Sequence, residues 1–316
     1  MRVVATARLP AIAAEILAPY DYHEYEWTPT QTRERLVEKI GSSAGVIAVL
    51  GDRFDEEIFS SCPSLKIVSN FAVGFDNVDL AAAARHGVWV TNTPGVLTDA
   101  TADLAMTLLL AVTRRVVEGH RMMQEDRYVG WHPLDHLGFG LQGKTLGIVG
   151  MGRIGRAMAH RASAFGMSVI FSSRTMRESE GAFTCVSLDE LLSRSDVVSI
   201  HCPLNAETKR LFDSRRLSSM KRGAYLINTA RGAIVDESAL AEALENGRLG
   251  GAGLDVFENE PHAHPALRGR NDVVLLPHIG SATVETRSEM ARLAALNVAA
   301  VLEGERPPHP VNELVR

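Results

Sequence analysis

The sequence predicts an α/β fold. Short apolar runs alternate with amphipathic stretches along the chain, and Gly150, Gly152 and Gly155 form a G-x-G-x-x-G run where one apolar run gives way to a helical pattern. Neither an internal repeat nor a low-complexity tract competes with that reading. A length of 316 residues points to two domains.

The first half keeps a β-then-α rhythm. Residues 3–6, 45–50, 65–69 and 88–91 read as short apolar strands, with 23–27 as an edge strand. Pro10 opens a helix over 10–17, since proline is tolerated at a first helical position. Residues 30–40 are amphipathic, with Thr30 or Thr32 as cap. Shorter helices follow at 54–59 and 78–85, the second stopping near Gly87. Strands alternating with helices imply a parallel sheet. Residues 100–123 then read as one long helix, capped by Thr98 or Asp99. It is apolar almost all round, which calls for burial between two domains, and Asp103 on it must find a partner. Residues 128–141 are aromatic, His-rich and irregular: a packed loop, or an arm reaching a second subunit.

In the second half, 145–149 is a buried strand and 168–171 another. Between them Ile154, Met158, Ala162 and Phe165 recur at helix spacing. Strand, glycine turn, helix, strand is the context of a dinucleotide site. Gly150 permits the tight turn, Gly152 lets the main chain approach a pyrophosphate, and Gly155 lets helix and strand pack closely. The helix N-terminus meets the phosphates. Met151, Arg153 and Ile154 complete that loop. Where NAD-binding folds usually place an Asp or Glu for the ribose 2′-OH, this chain has Ser172, Ser173, Arg174 and Thr175. A guanidinium and hydroxyls suit a 2′-phosphate, so NADP(H) is the expected cofactor and NAD(H) the alternative. Further helices are expected at 188–194, 214–220 and 236–245, and strands at 197–201, 225–228, 250–255 and 273–276. A final helix over 283–302 returns to the first domain, and 307–316 reads as a tail.

The predicted architecture is therefore two Rossmann-like domains. A doubly wound dinucleotide-binding domain (98–285) is inserted into a flavodoxin-like substrate domain (1–97 and 286–316).

Composition excludes several classes. Hydrophobic residues make up 46% and charged residues 22%, as in soluble globular proteins. A net charge of -5 gives no basic footprint for nucleic acid. The first ten residues carry charge and a proline too early for a signal peptide. The apolar run 104–112 is about half a membrane span. Cys62, Cys185 and Cys202 are widely spaced, which suggests reduced thiols in a cytoplasmic protein and no disulfide or zinc framework.

Ligands of an open parallel sheet bind beyond the carboxyl ends of its strands. Polar stretches stand there at 228–232 (N-T-A-R-G), 255–261 (D-V-F-E-N-E-P) and 277–282 (P-H-I-G-S-A). Carbonyl reduction beside a nicotinamide needs a proton donor, a positive group for substrate charge, and a group that tunes the donor. His278 can donate. Arg231 can hold a carboxylate bidentately. Glu260, if bonded to His278, favours its protonated form and fixes the ring. His201, at a strand end, is the strongest rival donor, and composition alone does not choose between the two.

These stretches carry a family resemblance. The sequence resembles the D-isomer-specific 2-hydroxyacid dehydrogenases, most closely the glyoxylate/hydroxypyruvate reductase branch. The markers are 70–79 (N-F-A-V-G-F-D-N-V-D), the glycine fingerprint, 201–212 (H-C-P-L-N-A-E-T-K-R-L-F), 220–240 (M-K-R-G-A-Y-L-I-N-T-A-R-G-A-I-V-D-E-S-A-L), 253–261 (G-L-D-V-F-E-N-E-P) and 276–282 (L-P-H-I-G-S-A). The resemblance implies reduction of small 2-oxo acids, glyoxylate and hydroxypyruvate among them, to D-2-hydroxy acids. It implies a catalytic set of Arg231, Glu260 and His278. The backbone N–H groups of Val73 and Gly74 would help Arg231 hold the substrate carboxylate, and Asp255 would accept a bond from the nicotinamide carboxamide. Thr101 would lie near the nicotinamide, and Pro203 would line the cofactor cleft. His201, Cys202, Thr208, Thr229, Ala230 and Gly280 stand in the same motifs as candidate cofactor contacts. A homodimer built through the long helix and the arm is implied, with Trp131 near the neighbouring subunit's substrate pocket and Leu50 as a further pocket residue. Other readings of the same chain are a phosphoglycerate-type or larger-substrate D-2-hydroxyacid dehydrogenase and, in a different class, a dinucleotide-sensing protein like the C-terminal-binding corepressors.

Overall fold

Alternating strands and helices produce two parallel sheets, one in each of two units: Met1–Leu97 with Ser281–Arg316, and Thr98–Gly280. The computed structural model describes residues 1–28, 32–174 and 178–314.

The first unit runs β1 (Arg2–Ala5), α1 (Ile12–Leu17), β2 (Asp21–Glu24), α2 (Arg33–Ile40), β3 (Gly45–Ala48), α3 (Glu56–Ser61), β4 (Ile67–Asn70), α4 (Leu80–Arg85) and β5 (Trp89–Thr91). Among the described residues its sheet has five strands in the order β2-β1-β3-β4-β5, a flavodoxin-like winding. Caps set the helix starts. Thr32 accepts from the Arg35 N–H, Asp55 from Ile58, and Asp79 from Ala81 and Ala82. Thr30, the other candidate cap, lies outside the described residues. Phe54, expected to open a helix, is instead buried and bridges to Val78, one residue ahead of the Asp55 cap.

The second unit begins with α5 (Thr98–Thr113) and α6 (Val116–Gln124). It continues through β6 (Thr145–Val149), α7 (Arg153–Ala164), β7 (Ser168–Ser172), β8 (Thr184–Cys185), α8 (Leu188–Arg194) and β9 (Val197–Ile200). It ends with α9 (Ser214–Ser219), β10 (Ala224–Asn228), α10 (Glu237–Glu245), β11 (Leu249–Leu254) and β12 (Val273–Leu275). Its seven described strands are ordered β12-β11-β10-β9-β6-β7-β8. Strand order reverses between β6 and β9, and such a switch point opens a ligand crevice at the carboxyl ends. One core face holds Leu108, Leu109, Met158 and Phe171, and the other holds Leu192, Phe212, Leu226 and Leu240. The chain returns to the first unit at Ser281, five residues ahead of the expected 286, before α11 (Val284–Leu302) and its Thr283 cap. Ala294 and Val298 of α11 are fully buried, and the Ala294 carbonyl accepts the Ser69 hydroxyl at 3.0 Å.

Four expectations change. The single helix over 100–123 is two helices. Arg115 adopts φ 53° between them, the Thr113 hydroxyl bonds back to the Leu109 carbonyl at 2.7 Å, and the Arg115 guanidinium grips Glu118 at 2.6 and 2.7 Å. Nor is α5 buried all round. Asp99 and Asp103 are exposed, and both pair with Arg161 of α7, at 3.0 and 2.6 Å. Phe165 lies at the end of α7, off its buried face, and is 47% exposed. The expected tail is docked: the Val311 amide donates to the Val90 carbonyl, and the Asn312 side chain bonds the Val90 amide and the Val88 carbonyl. The tail's last two residues, 315 and 316, lie outside the described residues.

Candidate active site

The polar stretches of the second unit follow its strands directly, so the parallel ladder gathers them at one edge. Gly150 donates to the Ser172 carbonyl, His201 to Val149, Asp255 to Asn228 and His278 to Asp255, all at 2.8–2.9 Å. The glycine loop follows β6. Gly150 adopts φ 100°, and a Cβ there would lie 2.6 Å from the Cys202 nitrogen. A Cβ on Gly155 would lie 2.2 Å from the Gly150 carbonyl oxygen. A Cβ on Gly152 would meet nothing within 4 Å, which leaves the main chain open to a ligand. Gly152 is also the N-cap of α7, where no side chain among the described residues caps the helix, so its first amides are available to an anion. The Met151 side chain is packed into the core, Ile154 is half-buried, and Arg153 is exposed.

Beyond β7, Ser172 and Ser173 are half-buried and Arg174 is exposed. Arg174 pairs with Glu207 at 2.5 Å. Thr175 lies outside the described residues. Beyond β9, the Thr208 hydroxyl donates to the Pro203 carbonyl at 2.7 Å and accepts from the Asn205 amide at 2.8 Å, bracing the turn that carries Glu207. Burial drives the Cys202 thiol up to about 11.

The reactive cluster comes from three strand ends. His278 Nδ1 lies 2.9 Å from Glu260 Oε2, which leaves Nε2 for a substrate. Burial pushes the Glu260 carboxyl up, but the bond and charge of His278, the Phe257 amide and the Arg231 charge outweigh it, and the group ends below the usual range. Arg231, half-buried, follows β10. Its Nη1 donates to the Ala230 carbonyl at 2.8 Å, and the Asn228 side chain holds both the Arg231 carbonyl and the Ala230 amide. Thr229 Oγ1 is buried with no hydrogen-bond partner among the described residues. Asp255 is 1% exposed. Its two oxygens accept the Ile279 and Gly280 amides at 2.8 Å, while Thr101 of α5 donates to the Gly280 carbonyl at 3.2 Å. Burial raises the Asp255 carboxyl despite those amides and the His278 charge.

Two anchoring residues escaped the sequence reading. Glu237 is 4% exposed and accepts the Glu258 amide at 2.7 Å and the His264 amide at 2.9 Å, on either side of Glu260 in the chain. In sequence it is one more acid in a helix's first turn, which reads as dipole compensation. Gly232 abuts the same loop: a Cβ there would lie 1.8 Å from the Phe257 carbonyl carbon.

His201 separates from His278. Burial holds its imidazole at about 4, and its Nε2 lies 2.8 Å from the Ser199 hydroxyl. A neutral ring so engaged is a poor proton donor at neutral pH. Leu50, Val73 and Gly74 lie in the first unit, beyond β3 and β4. The Asn92 side chain holds the Val73 carbonyl at 2.8 Å, and Asn70 holds that of Gly74 at 2.6 Å. Trp131 is 82% exposed, and the segment around it is exposed rather than a packed loop.

A sequence profile of the D-isomer specific 2-hydroxyacid dehydrogenase NAD binding domain matches residues 106–280. A glyoxylate reductase of Thermococcus litoralis is 46% identical over 99% of this chain and 97% of its own. The chain belongs to the D-isomer specific 2-hydroxyacid dehydrogenase family. Solved structures agree. A Thermus thermophilus protein superimposes with a TM-score of 0.93 at 48% identity, covering 98% of this chain and 100% of that one. An NADPH-dependent glyoxylate/hydroxypyruvate reductase from Sinorhizobium meliloti, in complex with NADP and malonate, gives 0.88 at 36% identity over 98% and 96%. As a 2-hydroxyacid dehydrogenase the protein is an NAD(P)-dependent oxidoreductase of α/β fold with a Rossmann domain. Among the described residues no helix is long and apolar enough to cross a membrane, and no group of three or more His, Cys, Asp or Glu could hold a metal ion.

Proposed function

We propose that this dehydrogenase reduces small 2-oxo acids, glyoxylate and hydroxypyruvate foremost, yielding glycolate and D-2-hydroxy acids, with NADPH preferred to NADH. The observation that carries the reading is the 2.9 Å pairing of Glu260 with His278 beside Arg231, on a sheet edge that also holds the glycine loop. The sheet edge fits a dinucleotide. Gly150 and Gly155 are too crowded for side chains, Gly152 is open, and Thr229 Oγ1 is an orphaned donor at the neighbouring strand end. Gly150–Gly155 would hold the pyrophosphate, Ser172, Ser173 and Arg174 the ribose, and Asp255 the carboxamide. When bound, the reduced nicotinamide supplies hydride to the C2 carbonyl.

The protein's own groups do the rest. Arg231 binds the substrate carboxylate and polarises the carbonyl oxygen. His278, its ring fixed through Nδ1, delivers a proton from Nε2 to that oxygen. Glu260 keeps the ring oriented through its bond to Nδ1. A homodimer and a cytoplasmic location belong to the same reading. α6 has no buried residue among those described, and Val129, Trp131, Leu134 and Leu137 on the following arm are all exposed, an apolar surface that suits a second copy of this chain.

Initial rates with glyoxylate, hydroxypyruvate, pyruvate and phenylpyruvate, each with NADPH and NADH, test the proposal. Fast NADPH-dependent turnover of the two small acids supports it. A preference for phenylpyruvate moves the substrate class to larger acids. Tight nucleotide binding with no turnover of any acid sinks the enzyme reading in favour of a sensor.

A further inference from the structure

We propose that Glu207 sets the balance between a phosphorylated and an unphosphorylated adenosine ribose by competing for Arg174; the inference rests on the dinucleotide-site reading above. Strand order places β9 and β7 on the two sides of β6. The turns after β9 and β7 therefore flank the glycine loop. Arg174 Nη1 and Glu207 Oε2 join those turns at 2.5 Å. The Arg174 charge also acts on the Cys202 thiol, whose backbone closes over Gly150. Glu207 is held in place by its turn. Its amide donates to Asn205 Oδ1 at 2.9 Å, and the Thr208 hydroxyl locks the turn to the Pro203 carbonyl.

The chemistry follows from charge. A 2′-phosphate is drawn to the guanidinium and repelled by the carboxylate, and it must displace Glu207 to bind Arg174 fully. Both side chains are 66% exposed, so the pair is weak enough for a ligand to open. A plain ribose 2′-OH instead donates to a carboxylate, which is what the strand-end acid does in NAD-binding folds. No carboxylate stands among Ser172, Ser173 and Arg174 after β7. Glu207 supplies one from the turn after β9.

The test is binding without substrate. Calorimetric titration of NADP+ and NAD+ into the wild-type protein and into Glu207→Gln, Glu207→Ala, Arg174→Gln and the 174/207 double variant gives dissociation constants. Glu207→Gln and Glu207→Ala should tighten NADP+ about fivefold, near the upper limit of an exposed ion pair, while NAD+ weakens. Most of that NADP+ gain should vanish in the Arg174→Gln background, because competition for Arg174 is its source. Unchanged constants for both nucleotides in both Glu207 variants would overturn the inference and leave the pair a surface contact. A wild-type preference for NAD+ would defeat the cofactor preference proposed above, while the shift between variants still decides the role of Glu207. Binding of neither nucleotide to any variant would overturn both.

Discussion

At His278 the backbone adopts φ 55°, a left-handed conformation that a non-glycine residue keeps when its surroundings over-determine it. Asp255 does that here. Its carbonyl accepts the His278 amide, and its carboxylate takes the next two. The imidazole then meets Glu260, which stays ionised at neutral pH because its carboxyl lies below the usual range. Replacing it by Gln removes the charge and leaves a weaker hydrogen bond. In Glu260→Gln the ring loses its ionised partner, and kcat/KM for oxo-acid reduction at neutral pH should fall about 10- to 100-fold. Arg231→Lys loses the bidentate fork, and kcat/KM should fall about 100-fold. His201 makes a different forecast, about stability. Burial lowers it from 6.5 unfolded to about 4 folded. The unfolded chain binds the extra proton between those values, so this contribution is complete above pH 6.5 and is lost as pH falls toward 4. Urea unfolding of His201→Gln should show an acid-side decline shallower by about 2 kcal/mol. Residue types at strand ends were legible as candidates. What set His278 apart from His201 was burial against one hydroxyl and a carboxylate partner eighteen positions away, both products of tertiary packing.

At the scale of elements, the glycine loop was readable because each glycine answers a local demand: a left-handed turn, an open face, a helix against a strand. Strands were readable as apolar runs, and the start of α2 from its Thr cap. The break between α5 and α6 was not. Apolar residues continue across it, and the kink depends on Arg115 turning to Glu118. Docking of 309–312 was hidden too, since it rests on Asn297 and Asn312 bonding to backbone distant in sequence. Glu237 shows the same limit. Its value lies in two amides of the loop that carries Glu260. Glu237→Ala leaves those amides without an acceptor and should cost about 2–4 kcal/mol in urea unfolding. The oxo-acid kcat should fall further than the nucleotide affinity, and Glu237→Gln should recover much of both. Equal loss of binding and kcat would point to general unfolding instead.

At the scale of the molecule, the chain leaves the first unit at Leu97 and comes back at Ser281, so α11 packs on a sheet begun some two hundred residues earlier. The two-domain α/β plan followed from rhythm and length. The return point was set by packing that no local pattern announces. The exposed apolar arm carries the assembly forecast. Light scattering behind size exclusion should give a dimer mass, and replacing Val129, Trp131 and Leu134 together by Ser should shift it toward monomer; a wild-type monomer at micromolar concentration would refute the arm's role. His278 is the proposed proton donor to the carbonyl oxygen, and that role has a direct test. The measurement is the rate of NADPH oxidation with hydroxypyruvate in wild-type and His278→Gln protein at neutral pH. Steady turnover by the wild type and a fall of about 10²–10⁴-fold in kcat for the folded variant are expected. Turnover by His278→Gln within a few-fold of wild type would contradict that role.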